Sequence, residues 1–113
     1  MGKMIVFESQ SIERKNIRLT ETQQLHILQG HKECAEQTDK MILTIKSPDV
    51  IYFDPAEEVY HYLRFFSDTP VTEKFMLLIV KHVDNEGFII TAFFISKIKL
   101  KGKVKVYAKE NND

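Results

Sequence analysis

The sequence is short of most features that announce a chemistry. It holds one cysteine, Cys34, so no internal disulfide can form, and that fits a reducing, cytoplasmic setting. No apolar run approaches a membrane span, so no membrane partner is expected. Residues 1–7 carry one lysine and a short apolar patch, not the apolar segment of a secretory signal. Charge of one sign is missing too: Lys plus Arg number 16 and Asp plus Glu 16, which removes any global pull toward a polyanion. There is no glycine-rich phosphate loop, no GxSxG elbow and no carboxylate cluster suited to magnesium, which disfavours the common metal routes of nucleotide hydrolysis. His26, His31, Cys34, His61 and His82 are potential zinc ligands, but none sits in a CxxC or HExxH spacing. No metal and no cofactor is therefore expected.

What is present is a globular composition, 43% apolar and 28% charged over 113 residues. That is the size of one domain able to bury one core without staples. A single domain over 1–113 is expected, with its core at 17–107 and a polar tail at 108–113. The charge is unevenly distributed: between Lys97 and Lys109 stand six lysines and no acid.

The pattern of apolar residues divides the chain in two. Thr20-Glu21-Thr22-Gln23 reads as a capping box, predicting a short helix over 21–29 that Gly30 ends. Cys34, Thr38, Met41, Ile42 and Ile45 follow a three-to-four spacing, predicting a second helix over 33–46 that Ser47-Pro48 stops. The second half changes to strand character: 50–53, then an alternating stretch from Val59 to Phe66, then two apolar runs at 74–83 and 88–96. Between these runs Asp84-Asn85-Glu86-Gly87 signals a hairpin. Met4–Phe7 and Ile17–Leu19 are short strand candidates, Ser9–Lys15 a loop, and Val104–Tyr107 a candidate edge strand. The expected fold is α+β: two N-terminal helices packed on a roughly four-stranded antiparallel sheet formed by the C-terminal half.

Several side chains could carry chemistry. His26 and His31 flank the end of the first helix, where a general acid or base would work near neutral pH; the plain alternative is one half-buried and one loop histidine. On a strand, Tyr60, Tyr62 and Arg64 share one face and His61, Leu63 and Phe65 the other. Arg64 between tyrosines could grip phosphate with its planar fork, or could stack on a solvent face. Thr91 is the lone hydroxyl in the apolar stretch Phe88–Phe94; it could hold a phosphate oxygen, or be present as a good strand former. Lys97, Lys99, Lys101, Lys103 and Lys105 alternate with Ile98, Leu100, Gly102, Val104 and Val106. If extended they form one row, suited to a polyanion backbone or to guarding a sheet edge.

The order of short motifs adds a resemblance. His26-Ile27 with His31-Lys32-Glu33, Pro48-Asp49-Val50, Tyr62-Leu63-Arg64, Ile89-Ile90-Thr91-Ala92-Phe93 and Lys97-Ile98-Lys99 occur in that order. The chain from Leu19 to Lys105 thereby resembles a family of small phage and bacterial proteins in the barnase–EndoU–colicin–RelE-like (BECR) nuclease superfamily. The resemblance implies a metal-independent, toxin-type ribonuclease that cleaves RNA by general acid/base transesterification, a hydrolase-class activity without a cofactor. It implies His26, His31, Arg64 and Thr91 as catalytic positions, and Lys97 and Lys99 as the basic pair. With Tyr62, Lys101, Lys103 and Lys105, that pair makes up the expected nucleic-acid contact. The sequence departs from the pattern at Lys32, where the family has proline, at Phe93, where it has tyrosine, and after the final glycine, where Lys103-Val104-Lys105-Val106 replaces an aromatic close. Those departures motivate an alternative, a catalytically inactive RNA-binding or protein-interaction module with the same fold. RNA is the expected partner, and a protein inhibitor or a second copy joined through a strand edge is compatible with the sequence.

Overall fold

Thr20 is where the chain turns from strand into helix. Its hydroxyl accepts the Gln23 backbone N–H at 3.2 Å, one half of the expected capping box. The Gln23 amide does not reach back; it donates to the carbonyl of Ile90. In the computed structural model, which describes residues 4–110, the elements run β1 (Ile5–Gln10), β2 (Asn16–Thr20), α1 (Glu21–Gly30), a 3-10 turn (Lys32–Cys34), α2 (Thr38–Lys46), β3 (Val50–Asp54), β4 (Val59–Phe65), β5 (Phe75–Val83), β6 (Glu86–Ile95) and β7 (Val104–Ala108). The end of the polar tail, 111–113, and the start of the N-terminal segment, 1–3, lie outside the described residues.

The architecture is α+β, but the sheet is not the four-stranded antiparallel one that the sequence suggested. It has seven strands in the order β1-β2-β6-β5-β4-β3-β7. It is mixed, because β2 runs parallel to β6 through Asn16–Arg18 against Glu86–Phe88. The N-terminal segment therefore supplies sheet as well as helix. Ser9 and Gln10, expected as loop, extend β1, which pairs antiparallel with β2. Ile17 and Leu19 alternate into the core at 0% exposure and fix this hairpin to the rest of the sheet. The expected second helix is also divided. Glu36 takes a left-handed φ of 61°, which ends the 3-10 turn and delays α2 to Thr38. Its C-terminus falls at Lys46, before Pro48, as the proline requires.

Both helices lie on one side of the sheet. Beneath them is a core of Ile17, Leu19, Ile27, Cys34, Met41, Ile45, Ile51, Tyr62, Met76, Leu78, Val80, Ile89, Ala92 and Phe94. Residues one step along each strand point to the opposite, open face. There Val50, Tyr52, Leu63 and Leu77 gather with Ile79, Phe93, Ile95 and Ile98. Ile98 belongs to no strand, and its position follows from topology. β6 is the third strand and β7 the seventh, so residues 96–103 must cross four strand spacings, roughly 19 Å. β7 begins opposite Phe53, in the cross-strand row of Ile89, about six residues back from the end of β6. The connection is therefore a diagonal strap over the open face, pinned there by Ile98.

Candidate functional site

The strap and the sheet beneath it enclose a half-open trough of about 540 Å³. Its floor is Tyr52, Leu63, Leu77, Ile79, Phe93 and Ile95, with His61 among them; Glu73, Lys97, Lys99 and Lys103 stand on its rim. Apolar walls with a few polar groups are the usual make-up of a ligand site. The lysines do not form the single row expected of an extended segment. The strap bends at Ser96–Lys97 and turns at Lys101–Gly102, where the Lys103 N–H bonds the Leu100 carbonyl at 3.0 Å. Lys97, Lys99 and Lys103 line the trough, Lys101 is exposed at the turn, and Lys105 lies opposite Tyr52 on β7.

Two more of the expected residues meet on this face. Pairing across the strands sets Thr91, Ile79, His61, Tyr52 and Lys105 in one row, and Phe93, Leu77, Leu63 and Val50 in the next. His31, which caps the end of α1, stacks its ring on Phe93 with centroids 4.7 Å apart and planes 18° from parallel. That contact sets it on β6, two residues along from Thr91. Its Nδ1 lies 3.6 Å from Oε2 of Glu33, which orients the ring and leaves Nε2 as the nitrogen without that neighbour. Beyond the short pairing with β2, the outer edge of β6 is covered by side chains. Gln23 donates to Ile90, and the Cys34 thiol to the Ala92 carbonyl at 3.4 Å. These bonds hold the 3-10 turn, and so His31, against β6. Burial pushes the Cys34 thiol up to about 12, so it stays protonated and is no nucleophile at neutral pH.

The structure does not bring the remaining expected residues to the trough. His26 is exposed on α1. Arg64 and Tyr62 project to the helix side. Arg64 donates from Nη1 to the Ser47 carbonyl at 2.5 Å, closing the end of α2, and lies over the Phe66 ring at 5.4 Å. Tyr62 is 0% exposed, and its hydroxyl bonds Nε2 of His82 at 2.9 Å. His82 in turn stacks on Tyr60 at 4.0 Å. Burial pushes the Tyr62 phenol up to about 12. His61 is the trough residue that motif reasoning passed over. The signal is its shared strand face with Leu63, once the helices are known to cover the other face.

His82 makes the fold sensitive to acid. Burial, with the Lys15 ammonium nearby, lowers its imidazole from 6.5 to about 4. The unfolded chain takes up a proton near 6.5 while the folded chain resists until about 4, so stability present above pH 6.5 is lost as pH falls through that window. The full displacement would correspond to ~3 kcal/mol, and solvent contact of the half-buried ring brings the expected loss nearer 2 kcal/mol. Urea unfolding of wild type and His82→Gln between pH 7 and pH 4.5 measures it. The variant is expected to be weaker throughout but to have a flatter slope over this range. Equal slopes would remove His82 as the cause.

Among the described residues no helix is long and apolar enough to cross a membrane, and no group of His, Cys, Asp and Glu is placed to hold a metal ion. No family model, curated protein or solved structure matches the chain. The BECR resemblance therefore rests on the motifs quoted above.

Proposed function

We propose that the open face of the sheet is an RNA site and that the domain is a metal-independent ribonuclease of the BECR type, acting in the cytoplasm. The observation that carries this reading is the trough, where three strap lysines and His61 stand around a floor that includes Tyr52 and Phe93, with His31 stacked on Phe93 and Thr91 in the cross-strand row of His61. Lys97, Lys99 and Lys103 suit a phosphate backbone, and Tyr52 and Phe93 offer ring faces to unstacked bases. Thr91 would donate to a phosphate oxygen, and His31 would exchange a proton with the reacting ribose-phosphate. Cleavage by the RNA 2′-hydroxyl needs no metal and no cofactor.

A second reading, RNA binding without cleavage, is favoured by Phe93. It fills the position beneath His31 with an apolar ring where the resembled family has a phenol. A protein inhibitor seated on the trough would suit either reading.

The deciding experiment mixes purified protein with single-stranded RNA in EDTA and follows both binding and product. The expected result is salt-sensitive binding, together with fragments ending in 2′,3′-cyclic phosphate. Removing three phosphate contacts in Lys97→Ala/Lys99→Ala/Lys103→Ala is expected to reduce the slope of log affinity against log salt by about 2. Binding without product selects the second reading. An unchanged salt slope in the triple variant would show that RNA lies elsewhere.

A further inference from the structure

We infer that His61 is the second proton-transfer group of the trough, the base that takes the 2′-hydroxyl proton. This rests on the RNA reading and adds to it a residue that no motif contributed.

The placement argues for it. His61 sits at the centre of β4, in the cross-strand row that begins with Thr91 on β6, two strands away. Two strand spacings are about 10 Å. Ile79 lies between Thr91 and His61 in that row, on the trough floor, and His31 reaches β6 through its stack on Phe93, two residues along from Thr91; the phosphodiester of this proposal lies over Ile79. The other two histidines given geometry above are tied to neighbours: His82 to Tyr62, and His31 to Glu33. Among the described residues His61 has no such side-chain tie, although it is half-buried in the trough.

The charges around it set its protonation state. Lys103 from the strap, Asp54 from the end of β3 and Glu57 from the following turn act on the ring directly. Lys97, Lys99 and Glu73 stand on the same rim. Burial, then Lys103, hold the imidazole below its ordinary value against the opposing pull of the two acids. The ring is therefore neutral at pH 7 and able to accept a proton.

The step balances without any further reagent. His61 takes the proton of the ribose 2′-hydroxyl, and the 2′-oxygen forms a bond to phosphorus. The bond from phosphorus to the 5′-oxygen breaks with its electron pair, and that oxygen takes a proton from the imidazolium of His31. The products are a 2′,3′-cyclic phosphate and a 5′-hydroxyl. Water then returns both histidines to their starting forms by exchange.

The test is the pH profile of kcat/KM for a dinucleoside phosphate in EDTA, wild type beside His61→Gln. The variant is expected to lose about 100-fold or more in rate and to lose the acidic limb of the profile. A wild type that cleaves, with a His61→Gln variant matching its rate and acidic limb, overturns the role of His61 and leaves the RNA reading standing. A wild type that does not cleave overturns both. Because glutamine at this position could disturb the floor, proton NMR of the wild-type His61 ring during titration with uridine 3′-monophosphate gives an independent readout. The ring signals are expected to move and their titration midpoint to rise; an unmoved ring overturns the proposal.

Discussion

Tyr62→Ala is expected to lower the unfolding free energy by about 3–5 kcal/mol, a large part of the roughly 5–15 kcal/mol that holds a domain of this kind. Tyr62 is fully buried in the row Ala92–Leu78–Tyr62–Ile51, directly beneath the helices. Truncation empties a ring-sized volume in the centre of that core, and close-packed neighbours recover little of it. It also strands His82, whose Nε2 loses its 2.9 Å partner and whose neutral ring is left under the β1–β2 hairpin. Tyr62→Phe keeps the packing and removes one hydrogen bond, so a loss of about 1–2 kcal/mol is expected. Urea unfolding followed by circular dichroism measures both. Tyr62→Phe also separates support from recognition, because it stays folded. Its RNA affinity is expected to equal that of wild type; a marked loss with stability retained would mean that the helix side of the sheet meets the RNA.

The distinction matters because the strand pattern revealed the two faces of β4 but not their fates. Tyr60, Tyr62 and Arg64 do share a face, and His61 and Leu63 share the other, as period-two alternation requires. Which face the helices cover is decided by long-range pairing, and β4 is apolar enough on both sides to accept either outcome. The local signals were legible for the same reason that they are local. Thr20 caps α1, Pro48 follows the end of α2, and Asp84 takes the positive φ of a tight hairpin turn. The parallel pairing of β2 with β6 joins residues about seventy positions apart, and no short motif encodes it. The strap is hard to read from sequence for a related reason. Alternating lysines look like an edge strand until the sheet order shows that this segment must cross the open face to reach β7. Once that crossing is known, Ile98 becomes an anchor, and Lys97, Lys99 and Lys103 become the rim of a site.

His31→Ala is expected to reduce RNA cleavage by about 10²–10⁴-fold while leaving the fold nearly as stable as wild type. The stability side follows from position. His31 is only half-buried, and its contribution to ending α1 is its backbone N–H on the Ile27 carbonyl at 2.7 Å, which alanine retains. The lost stacking on Phe93 costs about 1 kcal/mol or less. The activity side follows from what the ring alone provides. It is the imidazole stacked on Phe93 at the β6 side of the trough, with Glu33 3.6 Å from its Nδ1, and alanine leaves no imidazole there. Phe93→Ala is expected to give an intermediate loss, since it removes the surface that positions the ring and leaves the imidazole itself. His26→Ala should cleave like wild type, because His26 is exposed on α1 and away from the trough. The three variants are compared by initial rates on one RNA in EDTA, after thermal melts establish that each is folded. The reverse ranking, with His26→Ala inactive and His31→Ala unimpaired, would move the chemistry off the open face and onto the exposed side of α1.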